Sequence, residues 1–406
     1  MSDALRKGPL ADIKVLELAH VMAGPACGRL LADLGADVIK LERPEGEDAR
    51  RMAPPWHGDE AAGFLMMNRN KRGIAVDLKT DGGKDIARRL VGQCDVLIEN
   101  FRKGTLDRLG LGYDRLAQIN PKLIYCEISG YGRTGPYADK GGFDLVAQAM
   151  SGLMSVTGEA PGRQPVKAGV PVGDISAGLF AAVGILAALR ERDKTGKGQR
   201  VDTSLFEATS AFMLWPAAMQ IASGAQPEPM GSAHPLDAPY QAFEASDGWF
   251  IVGAANQANW LRLIKTMNAQ YLQEDPRFNS NPKRVENLGL LIETLTPLFK
   301  EHSRAHWITV LDEAGVPTGP INNVAQMLND PQLKARGMIT STQHPKLGAV
   351  PTLGLPLRFS ESETAIDRPA PQLGEHNALV LKEAGFSAEE ILALEKNGAI
   401  AQGTET

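Results

Sequence analysis

An α/β fold with a largely parallel sheet is predicted for the first half of the chain, and three observations predict it. Short apolar β-type runs alternate with helical patterns between residues 13 and 129. That alternation is what strand–helix–strand crossovers produce. Helix stops punctuate the pattern, with Pro25 suited to a first turn and Gly35 and Gly92 to C-terminal caps. The third observation is a change of texture at 223–240, SGAQPEPMGSAHPLDAPY, which marks a linker.

In order, IKVLEL (13–18) reads as a strand and PACGRLLADLG (25–35) as a helix. The runs DVIKLER (37–43) and GIAVDL (73–78) are strands, followed by a helix over GGKDIARRLVGQ (82–93). DVLIEN (95–100) and LIYCEIS (123–129) complete the strand set. A helix starts at Ile175, and its apolar run, 179–189, is shorter than the roughly 20 residues that span a bilayer. It is expected to be a buried helix. Beyond the linker, WFIVGAA (249–255) is a strand, and NWLRLIKTMN and RAHWITVLDEAG are helices of a smaller α-rich lobe reaching about residue 330. The tail returns to extended segments, LGAVPTLGLPLRF, and closes with two helices, EHNALVLKEAG and SAEEILALEKNG. The expected boundaries are therefore 1–222, 223–330 and 331–406.

At 406 residues the chain exceeds one ordinary core. With 22% charged residues and a net charge of −5, nothing favours a long polyanion, so nucleic acid is not expected as a partner. The three cysteines, Cys27, Cys94 and Cys126, sit apart in apolar stretches, which suits a reducing compartment. MSDALRKGPLADIK has neither an apolar signal core nor a transit-peptide composition, so a cytoplasmic location without a membrane is expected.

Gly130, Gly132 and Gly135 have dinucleotide-fingerprint spacing, but Pro136 and Tyr137 stand where a helix should open. What survives is a turn where backbone can approach a ligand closely. His302 and His306 are four apart but lack a third ligand, so no metal site is expected. Cations gather near strand ends: Arg43, then Arg69, Lys71 and Arg72, then Arg102, Lys103 and Arg108. Together they suit the phosphates of a small polyanion at the open edge of an α/β sheet. Asp174 stands alone at the mouth of the apolar helix, where it is placed either to cap that helix or to do chemistry. The two roles are compatible, because a helix N-terminus stabilises a carboxylate. Gly169, Gly173, Ser176, Ala177 and Gly178 leave room for a bulky reactant.

Several stretches together resemble the class III (CaiB/BaiF) CoA-transferase family: IKVLELAHVMAGPACGRLLADLGADVIKLERPEGED, NRNKRGIAVDLK, VLIENFRKGTLDRLGLGY, SGYGRTGPY, VGDISAG with its KTGKGQRVD turn, and PQLGEHN. The resemblance implies a Rossmann-like large domain made from both ends of the chain, a smaller inserted α+β domain, and a homodimer of interlocked rings. It implies transfer of coenzyme A from an acyl-CoA to a carboxylic acid, with Asp174 as nucleophile. His20, Val21, Met22 and Ala23 fall on the CoA-contacting loop and Arg43 on the adenine and phosphate side. Asn70, Lys71 and Arg72 fall at the nucleotide, and Asn100, Phe101 and Arg108 on the next CoA-binding block.

Two features depart from the formyl-CoA:oxalate branch. Its glycine-run loop is replaced by MGSAHPLDAPYQAF and a lysine of that branch by the SGYG turn, which disfavours oxalate as acceptor. NRNKRGIAVDLK, GYGRTGP and SGLMSVTG look more like the succinyl-CoA and glutarate-like branch. The alternatives on the same fold are a 2-methylacyl-CoA racemase and a non-catalytic CoA-binding protein. The racemase histidine, in a G-H-D segment, is Phe143 here.

Overall fold

The structure, a computed structural model, describes residues 7–401. The chain divides into two units. The larger takes in the chain up to Leu153, Lys167–Ala218 and the segment from Pro331 on; the smaller is Met154–Val166 with Met219–Asp330.

Six strands build the sheet of the larger unit: β1 (Lys14–Glu17), β2 (Asp37–Glu42), β3 (Arg72–Ala75), β4 (Val96–Glu99), β5 (Ile124–Ser129) and β6 (Arg200–Ser204). All neighbours pair in parallel, in the order β3-β2-β1-β4-β5-β6. That is the doubly wound order, which reverses direction between β1 and β4. Side chains alternate between two cores, as a period of two requires. Val15, Val38, Val96, Ile98, Ile124 and Cys126 face one core, while Leu16, Ile39, Leu41, Leu97 and Tyr125 face the other.

Helices cover both faces: α1 (Ala23–Asp33), α2 (Asp81–Val91), α3 (Asp144–Met150) and α4 (Val172–Thr195). The two-sided burial explains why β1 to β5 read as nearly continuous apolar runs. β6 breaks that pattern, since RVDTS buries only Ser204, and the sequence analysis assigns no strand there.

The long helix departs from expectation in two ways. It begins at Val172, three residues earlier than Ile175, and it runs for 24 residues, so by length and composition it is long enough to cross a membrane. Only one face is buried in this unit, through Ala177, Ala181, Ile185 and Ala188, while Leu179, Phe180, Val183 and Leu186 are exposed.

In the smaller unit an antiparallel sheet, β7 (Tyr240–Ala245), β8 (Gly248–Gly253) and β9 (Thr318–Pro320), carries helices α5 (Gln257–Thr266), α6 (Leu288–Phe299) and α7 (Arg304–Glu313). Its core is aromatic, with Phe243, Phe250, Trp260, Phe299 and Trp307 buried. β7, YQAFEA, begins at Tyr240, the last residue of the expected linker, and no strand was expected there.

After Asp330 the chain rejoins the larger unit through a hairpin, β10 (Ile339–His344) and β11 (Gly348–Leu353), and helices α8 (Asn377–Glu383) and α9 (Ala388–Lys396). Asn377 fastens this return: its Oδ1 accepts from Ala75 N–H and its Nδ2 donates to Ala401 O. The free edge of β3 is thereby covered.

Candidate active site

In doubly wound sheets ligands bind beyond the carboxyl ends of the strands, where the strand order reverses. Here that crevice lies between β1 and β4, so the segments following those strands form its walls. The segment after β1 is held from three sides. Lys40 Nζ donates to Ala19 O (3.1 Å), Asn100 exchanges two hydrogen bonds of 2.9 Å with the backbone of His20, and Val21 N–H donates to Glu47 Oε2 (2.6 Å). Val21 has φ +63°, a left-handed conformation that a β-branched residue rarely adopts. The His20 ring meets Phe101 edge-on at 5.1 Å, and burial, with Lys40 nearby, pushes its pKa down.

Beside this loop is a cleft of about 160 Å³ lined by Ala23 at the start of α1, Asn100 and Phe101 after β4, Gly130 after β5, Phe143, and Asp174. Two glycines make the geometry. A methyl group at Gly178 would lie 2.7 Å from Ala23 O, so α4 can press against the start of α1; one at Gly130 would lie 2.6 Å from Gly142 Cα. Arg102, Lys103, Arg133 and Lys140 supply positive charge. Arg133 is buried on Glu99 (2.5 Å) and Glu127 (2.9 Å) and donates to Phe101 O, so it braces the wall; the other three are exposed.

Asp174 is the third residue of α4, and it does not cap the helix. That expectation fails because the orphan N–H groups of Gly173 and Asp174 donate to Asp144 Oδ1, at 2.7 and 3.3 Å. Gln148 in turn holds Asp144 Oδ2 (2.7 Å). The Asp174 carboxyl is thus left unspent by capping. Burial, reinforced by the charge of Asp144, pushes its pKa up to about 6, the opposite of the stabilised anion expected from the helix terminus.

Of the residues singled out from sequence, His20, Val21, Met22, Ala23, Asn100, Phe101 and Asp174 gather at this crevice. Arg43 follows β2, half exposed beside Asp48 (2.5 Å), and Arg108 is exposed. Asn70, Lys71 and Arg72 belong elsewhere. They precede the strand β3 instead of following it or lie at its start, and their polar atoms are consumed by protein. Asn70 ties Asp33 to Ala365 and Arg368; Lys71 is fully buried on Glu17, Asn68 and Pro25 O; Arg72 pairs with Asp37 and Glu383. The exposed cation beyond the carboxyl end of β3 is Lys79, which the sequence reading passed over although it ends the same NRNKRGIAVDLK stretch. Asp144 and Glu47 were missed too, because their partners are distant in sequence. His302 and His306 stack on each other, and among the described residues no group of three or more metal-ligating side chains occurs.

The profile of CoA-transferase family III matches residues 10–377. The chain belongs to that family. It is 39% identical over 383 residues to the human succinyl-CoA:glutarate CoA-transferase, covering 94% of this chain and 87% of that protein. It is 40% identical to the succinate–glutarate CoA-transferase of Agrobacterium fabrum, covering 93% and 96%. An acetyl-CoA:oxalate CoA-transferase from Acetobacter aceti is 39% identical, covering 95% and 97%, so overall likeness does not separate the acceptors. Among solved structures, a CaiB/BaiF family protein from Brucella suis superposes with a TM-score of 0.85 at 44% identity, covering 93% of this chain and all of that one.

The chain is therefore an enzyme of the class III CoA-transferase type. If the Asp174 carboxylate is to act as a nucleophile it must be ionised, and kcat/KM is then expected to rise through about pH 6. Asp144→Asn removes the neighbouring negative charge and should move the midpoint down. A profile flat from pH 5 to 8 would detach activity from this carboxyl.

Proposed function

We propose that this enzyme moves CoA from an acyl-CoA such as succinyl-CoA to a small dicarboxylate such as glutarate, through covalent intermediates on Asp174. The observation that carries the reading is the uncapped, desolvated Asp174 carboxyl on the wall of the cleft that the His20–Ala23 and Asn100–Phe101 segments enclose. The carboxylate attacks the thioester carbonyl, giving a mixed anhydride and CoA thiolate. The thiolate attacks the aspartyl carbonyl, releasing the donor acid and leaving an aspartyl-CoA thioester. The acceptor carboxylate attacks that thioester, and the returning thiolate takes the acceptor's acyl group, freeing Asp174. Each step regenerates the group the next one needs, so water must be kept out.

CoA would lie along the crevice with its thiol end toward Val21–Ala23 and its phosphates near Arg43, Arg108 and the exposed Arg102 and Lys103. Relatives between 36 and 40% identical are named for glutarate, oxalate, D-citramalate and mesaconate. The glutarate reading rests on the NRNKRGIAVDLK, GYGRTGP and SGLMSVTG stretches. Phe143 at the cleft favours transfer over racemisation, since a phenyl ring moves no proton. Incubating succinyl-CoA and other donors with a panel of mono- and dicarboxylates in D₂O, read by mass spectrometry, tests both points. Glutaryl-CoA without α-deuteration is expected. Deuterium entering a chiral 2-methylacyl-CoA at catalytic rates would favour the racemase, and CoA binding without exchange for any pair a non-catalytic role.

A cytoplasmic homodimer of interlocked chains completes the reading. On α4 Val183 is 62% exposed, and elsewhere in the larger unit Phe143 is 76% and Leu214 77% exposed, the kind of apolar exposure that an interface covers. Light scattering is expected to give a dimer that persists on dilution to nanomolar concentration, and a monomer there would refute it. Enzyme recovered with an organelle fraction on cell fractionation would refute the location.

A further inference from the structure

Beneath the crevice lies a buried set of charges the reaction does not use. Glu17, Lys40, Glu47 and Lys71 are each fully buried, with Lys40 Nζ at 3.1 Å from Glu17 and 2.7 Å from Glu47 Oε1, and Lys71 Nζ at 2.8 Å from Glu17. Glu42 adjoins them, accepting from Glu47 N–H (3.0 Å) and pairing with Arg50 (2.7 Å). Burying so many charges is costly unless each is paired, and here the pairs form one connected network. One oxygen leaves the network: Glu47 Oε2 accepts from Val21 N–H at 2.6 Å, at the one residue of the loop with a left-handed φ.

We propose that Glu47 is a positioning residue: with one oxygen fixed by Lys40, its other oxygen holds Val21 in the left-handed conformation and so sets the direction of the peptides that open α1 onto the cleft. The chemistry demands a carboxylate at this point. Lys40 Nζ and Val21 N–H are both donors, and the two oxygens of one ionised glutamate satisfy both, whereas an amide brings a single acceptor and two further donors. Strained conformations persist where the surroundings over-determine them, and Ala19 O and His20 are already held by Lys40 and Asn100. Without the Glu47 bond Val21 relaxes, and Met22 and Ala23 turn with it.

The inference rests on the transfer reading for its kinetic consequence, but amide exchange tests it without substrate. In Glu47→Gln the Val21 amide should exchange at least about tenfold faster by mass spectrometry of a peptide covering 18–24, because a protected N–H loses its acceptor. The rate constant for CoA transfer should fall up to about a hundredfold, as for a small misplacement of reacting groups, with the CoA dissociation constant changed less than about threefold. Adding Val21→Gly to that variant should restore most of the rate, since glycine takes a positive φ without strain. If Glu47 only balances the charge of Lys40, glycine at 21 recovers nothing. Glu47→Asp keeps the charge but is one methylene shorter, so it supplies the same exchange measurement should the amide variant fail to fold. Unchanged exchange at Val21 in both variants, or a double variant as slow as Glu47→Gln, overturns the proposal. A wild-type enzyme that protects Val21 yet transfers no CoA would instead remove the functional reading and leave the positioning role standing.

Discussion

Asp174→Ala is expected to abolish CoA transfer, by at least about a thousandfold, while the fold and CoA affinity survive. The size follows from what the proposed mechanism would lose: in it the carboxylate is the nucleophile that accepts the acyl group, and without it the site can only hold the reactants. The fold survives because the start of α4 does not depend on that side chain. Asp144 caps the Gly173 and Asp174 N–H groups whatever residue 174 carries. The electrostatic sign points the same way. A carboxyl whose pKa rises from 3.8 to about 6 on folding is disfavoured in its charged form, so it weakens the native state progressively as pH climbs through that window. Removing it should leave the melting temperature above pH 6 equal or higher. Incubation with acyl-CoA and borohydride should reduce the aspartyl thioester on the peptide containing residue 174 in wild type alone. Substantial transfer by Asp174→Ala would end the nucleophile assignment.

Much of the architecture was legible because two-sided burial writes itself into sequence. β1 to β5 are apolar on both faces and bounded by turn residues, so their order and parallel sense follow from the alternation with helices. β6 was not legible because an edge strand with one buried residue carries no such signature. His20 and Asn100 were singled out by the family resemblance, and the strand order gives the physical reason they lie together with Asp174, since ligands bind where a doubly wound sheet reverses. Two kinds of information were out of reach. Asp144 caps α4 from 29 residues upstream, so the local reading assigned the cap to the nearest acid, Asp174. Charge on a strand or beside it does not reveal burial either. Lys71 and Arg72 read as phosphate-binding cations in the sequence, yet they and Lys40 are buried because carboxylates meet them: Glu17 on β1 for Lys71, Asp37 on β2 for Arg72, and Glu17 and Glu47 for Lys40.

Lys71→Ala should therefore lower stability by about 3–5 kcal/mol and leave CoA affinity nearly unchanged, the reverse of what a phosphate ligand would show. All three N–H donors of this ammonium are spent, on Glu17 (3.0 Å), Asn68 (2.9 Å) and Pro25 O (3.0 Å), and no part of it reaches solvent. Truncation strands the Glu17 carboxylate in the interior with Lys40 alone to share between it and Glu47, which is the situation in which a broken buried pair costs most. Arg43 and Arg108 differ on both counts. Their side chains reach water, so removing either strands no buried charge, and the denaturation midpoint should change far less than for Lys71→Ala. A charge-assisted contact to phosphate is worth about 1.5–3 kcal/mol, so Arg43→Ala and Arg108→Ala should each weaken CoA binding about ten- to a hundredfold. Urea denaturation and titration calorimetry on the three variants separate the two roles. If Lys71→Ala keeps its stability and loses CoA, the ammonium reaches the nucleotide after all; if both arginine variants bind CoA normally, the phosphates lie elsewhere on the crevice.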